Sequence, residues 1–340
     1  MRPYQIAHYF LSCEFDRARW INTRDEAIPK GSRVEVGLPH RLEASEENFT
    51  VSTQLVIRNM TRPELDELVD WAAREGWNPG LHDAEQFWAT DPAAFIAASR
   101  GAELIGGGAI TAYNGEFGFM GFFIVRPEYR GQGLGNTLWH ARRERLLARL
   151  RPGSSIGMDG VFAMQDYYAK GGFIFSHRNL RFRASVSKRP TTSQLCDQDI
   201  VPLTTFPFDQ VVAYDRTCFP AARETFLSGW IAQADALAVG CRRDGRLSGY
   251  GVARRCREGC KIGPLFADDA SAANALYAHL AEFAQGGPLF LDAPENNPAA
   301  MALVQQQGMV EVFGCARMYL GPPPAIAHER VFGVTTFELG

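Results

Sequence analysis

A nine-residue run, FGFMGFFIV at positions 117–125, constrains the fold more than any other stretch of this chain. A strand with one face in water alternates apolar and polar side chains, whereas this run contains no polar side chain. It therefore predicts a central strand that is buried on both faces. The pair Asn114-Gly115 precedes the run and predicts a two-residue hairpin turn, so another strand should lie beside it.

A glycine-rich turn follows this strand. The segment RGQGLGN at 130–136 stands between the strand and a helix predicted over residues 137–150. Glycine permits backbone conformations closed to other residues and leaves no side chain in the way. Backbone N–H groups can therefore converge at the first turn of the helix, where they have no intrahelical partner and the helix dipole adds positive potential. A turn of this kind suits a phosphate or pyrophosphate group.

The surroundings of the turn are basic. Residues 126–151 contain seven Arg and two Glu, a local charge of +5 in a chain whose net charge is −3. A phosphoryl-transfer loop needs Gly-Lys-Ser/Thr at its end, but Gly135 is followed by Asn136-Thr137. A dinucleotide-binding turn needs Gly-x-Gly-x-x-Gly, which these glycines do not match. The pattern alone leaves two interpretations open, an anion site of another kind and a turn without a ligand.

Composition narrows the class of protein. The 340 residues are 46% hydrophobic and 21% charged, which is typical of a globular chain. Near-neutral charge argues against a general nucleic-acid binder, and the hydropathy pattern predicts no membrane span and no secretory signal. The seven cysteines include no Cys-x-x-Cys pair, so we expect free thiols, no metal site and a cytoplasmic protein.

The chain divides into two halves around a polar segment. Residues 1–52 lack a clean period and contain helix-interrupting Pro and Gly, so we expect a poorly ordered N-terminal extension outside the core fold. Strand and helix patterns alternate over residues 53–186, stop over a linker at 187–196, and restart over 197–340. We therefore expect two domains.

Two motifs in the first domain resemble a known family. The sequence VRPEYRGQGLG at 125–135 is followed about thirty residues later by YAKGGF at 168–173. Together they resemble the GNAT superfamily of acetyl-CoA-dependent N-acetyltransferases, with strand, loop, helix, strand and the tyrosine motif in the family's order. The resemblance covers residues 55–185. Residues 75–80, EGWNPG, and 159–161, DGV, look like a tandem, two-domain bacterial-type branch.

The resemblance implies a fold and a co-substrate. The fold is α/β (α+β): two tandem GNAT-like domains, each a mixed, mostly antiparallel twisted sheet flanked by helices. The co-substrate is acetyl-CoA, and no metal is implied. Backbone groups of the strand would pair with the pantetheine arm, while amides of the glycine turn would hold the pyrophosphate. The residues expected to contact acetyl-CoA are Phe123, Ile124, Val125, Arg130, Gly131, Gln132, Gly133, Leu134, Gly135 and Asn136.

The resemblance also implies a catalytic acid. Tyr168 occupies the family's position for the group that protonates the departing thiolate. A thiol with a pKa near ~8.5 and a phenol near ~10 are suited to such a hydrogen bond. The family often has Asn seven residues before this tyrosine, where the chain has Val161, which puts one cofactor-side hydrogen bond in question. A packing role for Tyr168 beside Tyr167 and Phe173 stays open.

The acceptor side is less specific in the sequence. Asp159, at the end of a strand beside the expected cleft, is the candidate base that takes a proton from the incoming amine. Residues expected to bind the acceptor are Glu75, Trp77, Asn78 and His82. Others that should wall this side are Asp83, Phe87, Trp88 and Glu116. A surface or packing role stays open for each of them, and the acceptor is not identified.

The sequence pattern of the second half repeats that of the first half but lacks the glycine turn. Residues 297–309, NPAAMALVQQQGM, match the family's closing helix, with Val304 in place of Tyr168. The resulting offset of 136 residues maps the turn onto residues 263–271, GPLFADDAS, where two carboxylates replace the glycines. Negative charge there disfavours pyrophosphate. We expect only the first domain to bind acetyl-CoA, and the second to complete the acceptor pocket or simply to stabilise the first.

The predicted function is that of an N-acetyltransferase. It would move an acetyl group from acetyl-CoA to a primary amine by direct attack in a ternary complex. The alternative is an acetyl-CoA-binding sensor without turnover, and a third reading is a structural module that binds no acetyl-CoA. The expected partners are acetyl-CoA and an amine acceptor, without nucleic acid or membrane, and the oligomeric state stays open.

Overall fold

The computed structural model describes residues 54–184 and 199–340. The expected extension over residues 1–52 and the expected linker over 187–196 lie outside these ranges, as do Cys13 and Cys196. The five cysteines within the described ranges are free and buried, which confirms the expectation of free thiols for them.

The first half follows the predicted order of strands and helices. Its strands are β1 (Leu55–Asn59), β2 (Phe95–Arg100), β3 (Glu103–Tyr113), β4 (Phe117–Val125), β5 (Ser155–Val161) and β6 (Ile174–Ala184). Its helices are α1 (Arg62–Arg74), α2 (Asp83–Thr90), α3 (Leu134–Leu147) and α4 (Gln165–Lys170). Thr61 and Glu64 form a capping box at the start of α1: the Glu64 carboxylate accepts from the backbone N–H of Thr61 at 2.8 Å.

The second half repeats this order. Its strands are β7 (Asp199–Pro202), β8 (Ala236–Arg243), β9 (Arg246–Arg255), β10 (Cys260–Ala267), β11 (Leu289–Pro294), β12 (Val310–Leu320) and β13 (Val331–Gly333). Its helices are α5 (Phe208–Cys218), α6 (Glu224–Ala232), α7 (Ala270–Glu282) and α8 (Pro298–Gln306). The offset of 136 residues carries β6 onto β12 at both ends and the start of α3 onto the start of α7.

All thirteen described strands form one mixed sheet, and the two halves exchange their closing strands. The strand order is β1-β2-β3-β4-β5-β12-β6-β11-β10-β9-β8-β7, with β13 beside β10. Strand β12 therefore pairs with β5 of the first half, while β6 pairs with β11 of the second. Only β4·β5 and β10·β11 are parallel among the described pairs. The predicted fold class is confirmed, and the exchange makes the two half-sheets continuous.

Strand β4 is the buried strand that its sequence predicts. Phe117, Phe119 and Met120 are buried, and the two helices that cover this part of the sheet lie on opposite faces. A side chain on Gly107 of β3 would meet Leu68 of α1, whereas one on Gly106 would meet Leu138 of α3. Both faces are therefore closed to water, which explains why the run needs no polar side chain.

Helix α3 begins earlier than predicted. Its first residue is Leu134 and its last is Leu147, each three residues before the predicted bound. Gly133 is the N-cap residue, with φ of 77°, and the chain winds into the helix directly after it. Gly135, which the sequence pattern assigned to the turn, therefore lies in the first helical turn.

Buried ion pairs join the two halves. Arg181 of β6 binds Asp292 of β11 through two hydrogen bonds of 2.6 and 2.8 Å, and each side chain is only 2% exposed. Two further pairs cross between the halves in the same way, Asp83 with Arg254 and Asp159 with Arg317. A buried charge that loses its partner is strongly destabilising, so these pairs fix which strands may lie side by side.

The Arg181–Asp292 pair gives a stability prediction. Arg181→Met leaves the Asp292 carboxylate buried without a counter-ion, which should lower the free energy of unfolding by about 3–5 kcal/mol. The control is Arg183→Met on the same strand, whose ion pair with Glu258 is roughly half exposed and should contribute about 1 kcal/mol or less. Urea unfolding followed by circular dichroism measures both. Equal losses for the two variants would contradict the role assigned to the buried pair.

Candidate active site

The glycine turn presents free backbone amides. Gly131 and Gly133 have φ values of 75° and 77°, which residues with a side chain rarely adopt, and a Cβ on either would meet no atom within 4 Å. Among the described residues, no group accepts a hydrogen bond from the backbone N–H groups of residues 131–135. The Asn136 N–H, in contrast, donates to the Gly133 carbonyl oxygen at 3.1 Å. Five adjacent donors at the start of α3 therefore stay unpaired within the described residues, an arrangement that suits an anion.

Arg130 positions this turn through its side chain. Its Nε donates to the Val125 carbonyl oxygen at 2.8 Å, and its Nη2 binds the Glu75 carboxylate at 2.5 Å. The Glu75 carboxylate, expected to bind the acceptor, thus holds the end of α1 against the turn. The Val125 carbonyl, expected to pair with the pantetheine arm, is likewise engaged by Arg130. The sequence did not indicate the contact with Glu75, because it joins residues 55 positions apart along the chain.

Strands β4 and β5 separate beside the turn. Their parallel pairing runs from Phe117 to Met120, while β4 continues to Val125 in contact with β3. The separation coincides with Phe122, whose φ of 49° lies in the left-handed region. The edge of β4 over residues 121–125 is therefore open toward the gap between the strands. All three strand residues expected to pair with a pantetheine arm, Phe123, Ile124 and Val125, lie on this edge.

The gap opens into a cleft of about 550 Å³. Its wall includes Met120 to Phe123 of β4, Met158 and Asp159 of β5, and the side chain of Tyr168. The second half also contributes to the wall, and the residues concerned are Phe313, Cys315, Phe337 and Glu338. Residues of both halves therefore line the cleft, and its role as the acceptor pocket stays a prediction.

Tyr168 is placed to act in the cleft. Its ring packs against Trp139 at 5.1 Å between centroids and against Gly160, where any larger residue would overlap it. The side chain is 4% exposed, and its hydroxyl has no hydrogen-bond partner in the described part of the chain. Burial raises the pKa of Tyr168, opposed by the charge of Arg142. The phenol is therefore protonated at neutral pH and can donate a proton.

Arg142 is a buried cation that the sequence analysis did not single out. Its Nη2 donates to the carbonyl oxygens of Ala109 and Gly121, both at 2.6 Å, which fixes β4 where it leaves β5. Burial lowers the pKa of Arg142 to about 10. Its Nε and Nη1 are buried without a hydrogen-bond partner, and the guanidinium lies over the Phe123 ring at 5.2 Å. The sequence did not distinguish Arg142 from the other six arginines of residues 126–151.

Asp159 lines the cleft but is already engaged. Both of its carboxylate oxygens accept from Arg317, at 2.9 and 2.6 Å, and Asn179 donates to Oδ1 at 2.8 Å. The Asp159 side chain is fully buried. Arg317 belongs to β12 of the other half, so the sequence around Asp159 could not indicate the pair. Both oxygens of Asp159 are therefore engaged by side chains from outside its own strand.

Of the four residues expected to bind the acceptor, only Trp77 lines the cleft. The Asn78 side chain instead exchanges two hydrogen bonds with the backbone of Glu258, at 2.9 and 2.8 Å. His82 lies 3.0 Å from the Asp235 carboxylate. The structure thus uses Asn78 and His82, like Glu75, for contacts between segments. Asp83 is buried with Arg254, Glu116 pairs with Arg151, and Phe87 lies in the core beside the half-buried Trp88.

The second half has its equivalent site closed. Asp269 is the N-cap of α7 and accepts from the Ala272 N–H at 2.9 Å, so a carboxylate occupies the helix end where α3 presents free amides. Strands β10 and β11 pair only over Cys260 to Ile262, and β13 then fills the gap by pairing with β10 at Leu265 and Phe266. The expectation that this half has lost its anion site is supported by both features.

No metal site stands out within residues 54–184 and 199–340, where no three His, Cys, Asp or Glu side chains cluster as ligands. The helices of the same ranges include none that is long and apolar enough to span a membrane.

Family models match both halves of the chain. A model described as "Acetyltransferase (GNAT) family" matches residues 62–173, and one described as "Acetyltransferase (GNAT) domain" matches residues 211–333. The chain is 26% identical over 273 residues to the holothin acyltransferase of Pseudoalteromonas sp. (strain SANK 73390), covering 80% of this chain and 90% of that protein. It is 30% identical over 97 residues to an acetyltransferase of Photorhabdus laumondii, covering 27% of this chain and 67% of that protein.

Solved structures share the fold. A putative acetyltransferase from Pyrococcus horikoshii superposes with a TM-score of 0.72 at 20% identity, covering 88% of this chain and all of that one. A tandem GNAT protein from the clavulanic acid biosynthesis pathway superposes with a TM-score of 0.57 at 14% identity, covering 79% of this chain and all of that one. The open anion site in one half, its closed counterpart in the other and these matches agree: the chain belongs to the GNAT acetyltransferase family and carries two of its domains in tandem.

Proposed function

We propose that the chain transfers an acetyl group from acetyl-CoA to the amine of a compact, largely apolar acceptor. The observation that carries the proposal is the row of free amides over residues 131–135, which ends at an open strand edge beside the Tyr168 hydroxyl. The amides suit a pyrophosphate, the strand edge suits an amide-bearing arm, and the hydroxyl suits a departing thiolate. Family membership supports acyl transfer as the reaction.

Each group of the chain has one task in this reaction. The amides of residues 131–135 bind the diphosphate, and the open edge of β4 aligns the thioester with the cleft. Backbone N–H groups near Phe123 stabilise negative charge on the thioester oxygen as the amine attacks the carbonyl carbon. When the carbon–sulphur bond breaks, the Tyr168 hydroxyl donates its proton to the sulphur. Arg142 keeps Gly121, and therefore the edge of β4, in place.

The wall of the cleft supports the acceptor class. Aromatic rings from both halves, Trp77, Phe313 and Phe337, line the cleft. Arg181 stacks on the last two at 5.5 and 5.0 Å but is itself bound to Asp292, so it offers no free charge to an anionic acceptor. Flat apolar molecules fit such walls. The relative named holothin acyltransferase supports acyl transfer to a discrete compound.

The anion site is tested by a charge placed in the turn. Gly133→Glu strains the backbone and sets a carboxylate beside the five free amides, so acetyl-CoA binding should weaken at least about 100-fold, equal to two charged hydrogen bonds of ~1.5 kcal/mol each. The control is Gly153→Glu, because Gly153 has a similar φ of 85° and equally open surroundings at the other end of α3. Titration calorimetry with acetyl-CoA measures both. A Gly133→Glu variant that binds like the parent would remove the anion site from the proposal.

The proposed general acid, Tyr168, is tested by removing its hydroxyl oxygen. Tyr168→Phe should lower kcat about 10²–10⁴-fold, as expected for loss of a general acid, with the Kd for acetyl-CoA within threefold of the parent value. Tyr277→Phe is the control, since Tyr277 is also buried and lies in α7 of the closed half. Thiol release with acetyl-CoA and a panel of aromatic amines measures kcat. Unchanged turnover in Tyr168→Phe would exclude the tyrosine from the chemistry.

The same assay separates the enzyme from a sensor. A sensor binds acetyl-CoA through the glycine turn but releases no thiol with any amine. A parent protein that binds acetyl-CoA and is inactive with the whole panel would favour the sensor over the acetyltransferase.

A further inference from the structure

Two carboxylates line the cleft, and only one is free. Asp159 is bound by Arg317 and Asn179. Glu338 lines the same cleft and is 3% exposed, yet its carboxylate accepts no hydrogen bond from any described residue. Buried carboxylates are normally paired or hydrogen-bonded, and those left free tend to mark functional sites. Glu338 is therefore the exception that requires an explanation.

The segment that follows β13 brings Glu338 to the reacting end of the cleft. The Val334 N–H donates to the Asp292 carbonyl oxygen at 2.8 Å, which continues the closure of the second half. The chain then turns toward the first half, where the backbone of Glu338 lies directly against Gly121, so that any side chain on Gly121 would overlap it. Gly121 is where β4 leaves β5. Glu338 thus approaches the cleft at the residue that begins the open strand edge.

A set of contacts holds this segment rigidly. The Thr336 hydroxyl accepts from the backbone N–H groups of Glu338 at 3.2 Å and Leu339 at 2.9 Å. The Leu339 carbonyl accepts from the Tyr113 hydroxyl of β3 at 2.8 Å. Both flanking residues of Glu338 are buried, Phe337 under Arg181 and Leu339 in the core of the first half. A carboxylate fixed by its backbone on both sides, with its oxygens left free, is preorganised for contact with a ligand.

Charged side chains of four neighbouring elements, α2, β6, β9 and β10, act on the Glu338 carboxyl. Burial raises the pKa of Glu338, and Asp83 of α2 adds to the rise, while Lys261 of β10, Arg181 of β6 and Arg254 of β9 oppose it. The thiol of Cys315, whose pKa burial also raises, faces the same cleft and stays neutral. A carboxyl with a raised pKa is a stronger base than a solvated one, which suits proton removal near neutral pH.

We propose that Glu338 is the general base of the reaction, supplied by the second half to a cleft whose acid and acetyl-CoA site belong to the first. This assignment rests on the acetyl transfer proposed above. The second half, closed to acetyl-CoA by its own strand β13, thereby contributes a catalytic group rather than a second active site.

Each proton that moves during the acetyl transfer has a donor and an acceptor. The amine nitrogen forms a bond to the thioester carbonyl carbon, and one proton passes from that nitrogen to the Glu338 carboxylate. The carbon–sulphur bond breaks, and the Tyr168 hydroxyl proton passes to the sulphur. Return of the proton from Glu338 to the Tyr168 phenolate, by exchange with bulk solvent, restores both groups. The products are the acetylated amine and the free thiol, without any oxidant or reductant.

The experiment compares the pH dependence of kcat/KM in the parent and Glu338→Gln. The probes are acetyl-CoA with p-toluidine, 2-phenylethylamine and tryptamine, and p-toluidine is the decisive one because its amine is uncharged over the working pH range. In the parent, kcat/KM should rise with pH as Glu338 loses its proton and then level off. Glu338→Gln should lose this rise and lie about 10²–10⁴-fold below the plateau, with the Kd for acetyl-CoA within threefold of the parent.

Glu338→Asp and Glu329→Gln distinguish the loss of a base from a general loss of structure. Glu338→Asp keeps the carboxylate and should recover both the pH-dependent rise and part of the rate. Glu329→Gln changes an exposed glutamate that precedes β13 and should behave as the parent. Asp159→Asn, in contrast, should act mainly on stability, because it leaves Arg317 buried with a weakened partner.

The outcomes separate the two proposals. A parent that binds no acetyl-CoA, or acetylates none of the three probes, overturns the proposed function and the role of Glu338 with it. An active parent whose Glu338→Gln variant keeps the rate and the pH-dependent rise overturns the role of Glu338 alone. Loss of the rise in Glu338→Gln, with recovery in Glu338→Asp, supports both.

Discussion

The contact between Arg181 and Asp292 sits at the centre of this molecule, and the remaining architecture depends on it. The pair joins β6 of the first half to β11 of the second, with both side chains 2% exposed. A third nitrogen of Arg181 donates to the Trp77 carbonyl oxygen at 2.6 Å, and its guanidinium stacks on Phe313 and Phe337. One buried cation therefore fixes the strand exchange and the aromatic wall of the cleft together. Removing one partner of such a buried pair is strongly destabilising, because the other charge is left buried without compensation.

The two halves have the same fold, but the helix start and the strand edge are left open in the first half and are covered by the chain in the second. In the first, glycines at the start of α3 leave amides free, and β4 parts from β5. In the second, Asp269 caps the corresponding helix and β13 fills the corresponding gap. A carboxylate on the helix end satisfies the amides that a phosphate would otherwise bind, and a strand satisfies the edge that a ligand arm would otherwise use. The same groups, backbone amides and a strand edge, stay unpaired in one half and are satisfied by the chain itself in the other.

Much of the first half could be predicted from local patterns. The buried strand, the hairpin turn at Asn114-Gly115 and the glycine turn follow from side-chain periodicity and from φ values that favour glycine. Tyr168 was found through its motif, and it lies in the cleft. The acceptor side was not predictable in this way. Asp159, Asn78 and His82 looked available, but their partners, Arg317, Glu258 and Asp235, lie more than 150 residues away along the chain.

The sequence by itself determined the elements, the repeat and the glycine turn, because each depends on residues within a few turns of one another. Only the tertiary structure decided which carboxylates are bound, which half is open and where Glu338 lies. The reason is physical: whether a carboxylate is free depends on the cations that the exchanged strands bring beside it, and no local pattern records those neighbours. The pairing of thirteen strands in one sheet therefore determines which side chains of the local motifs have partners and which are free.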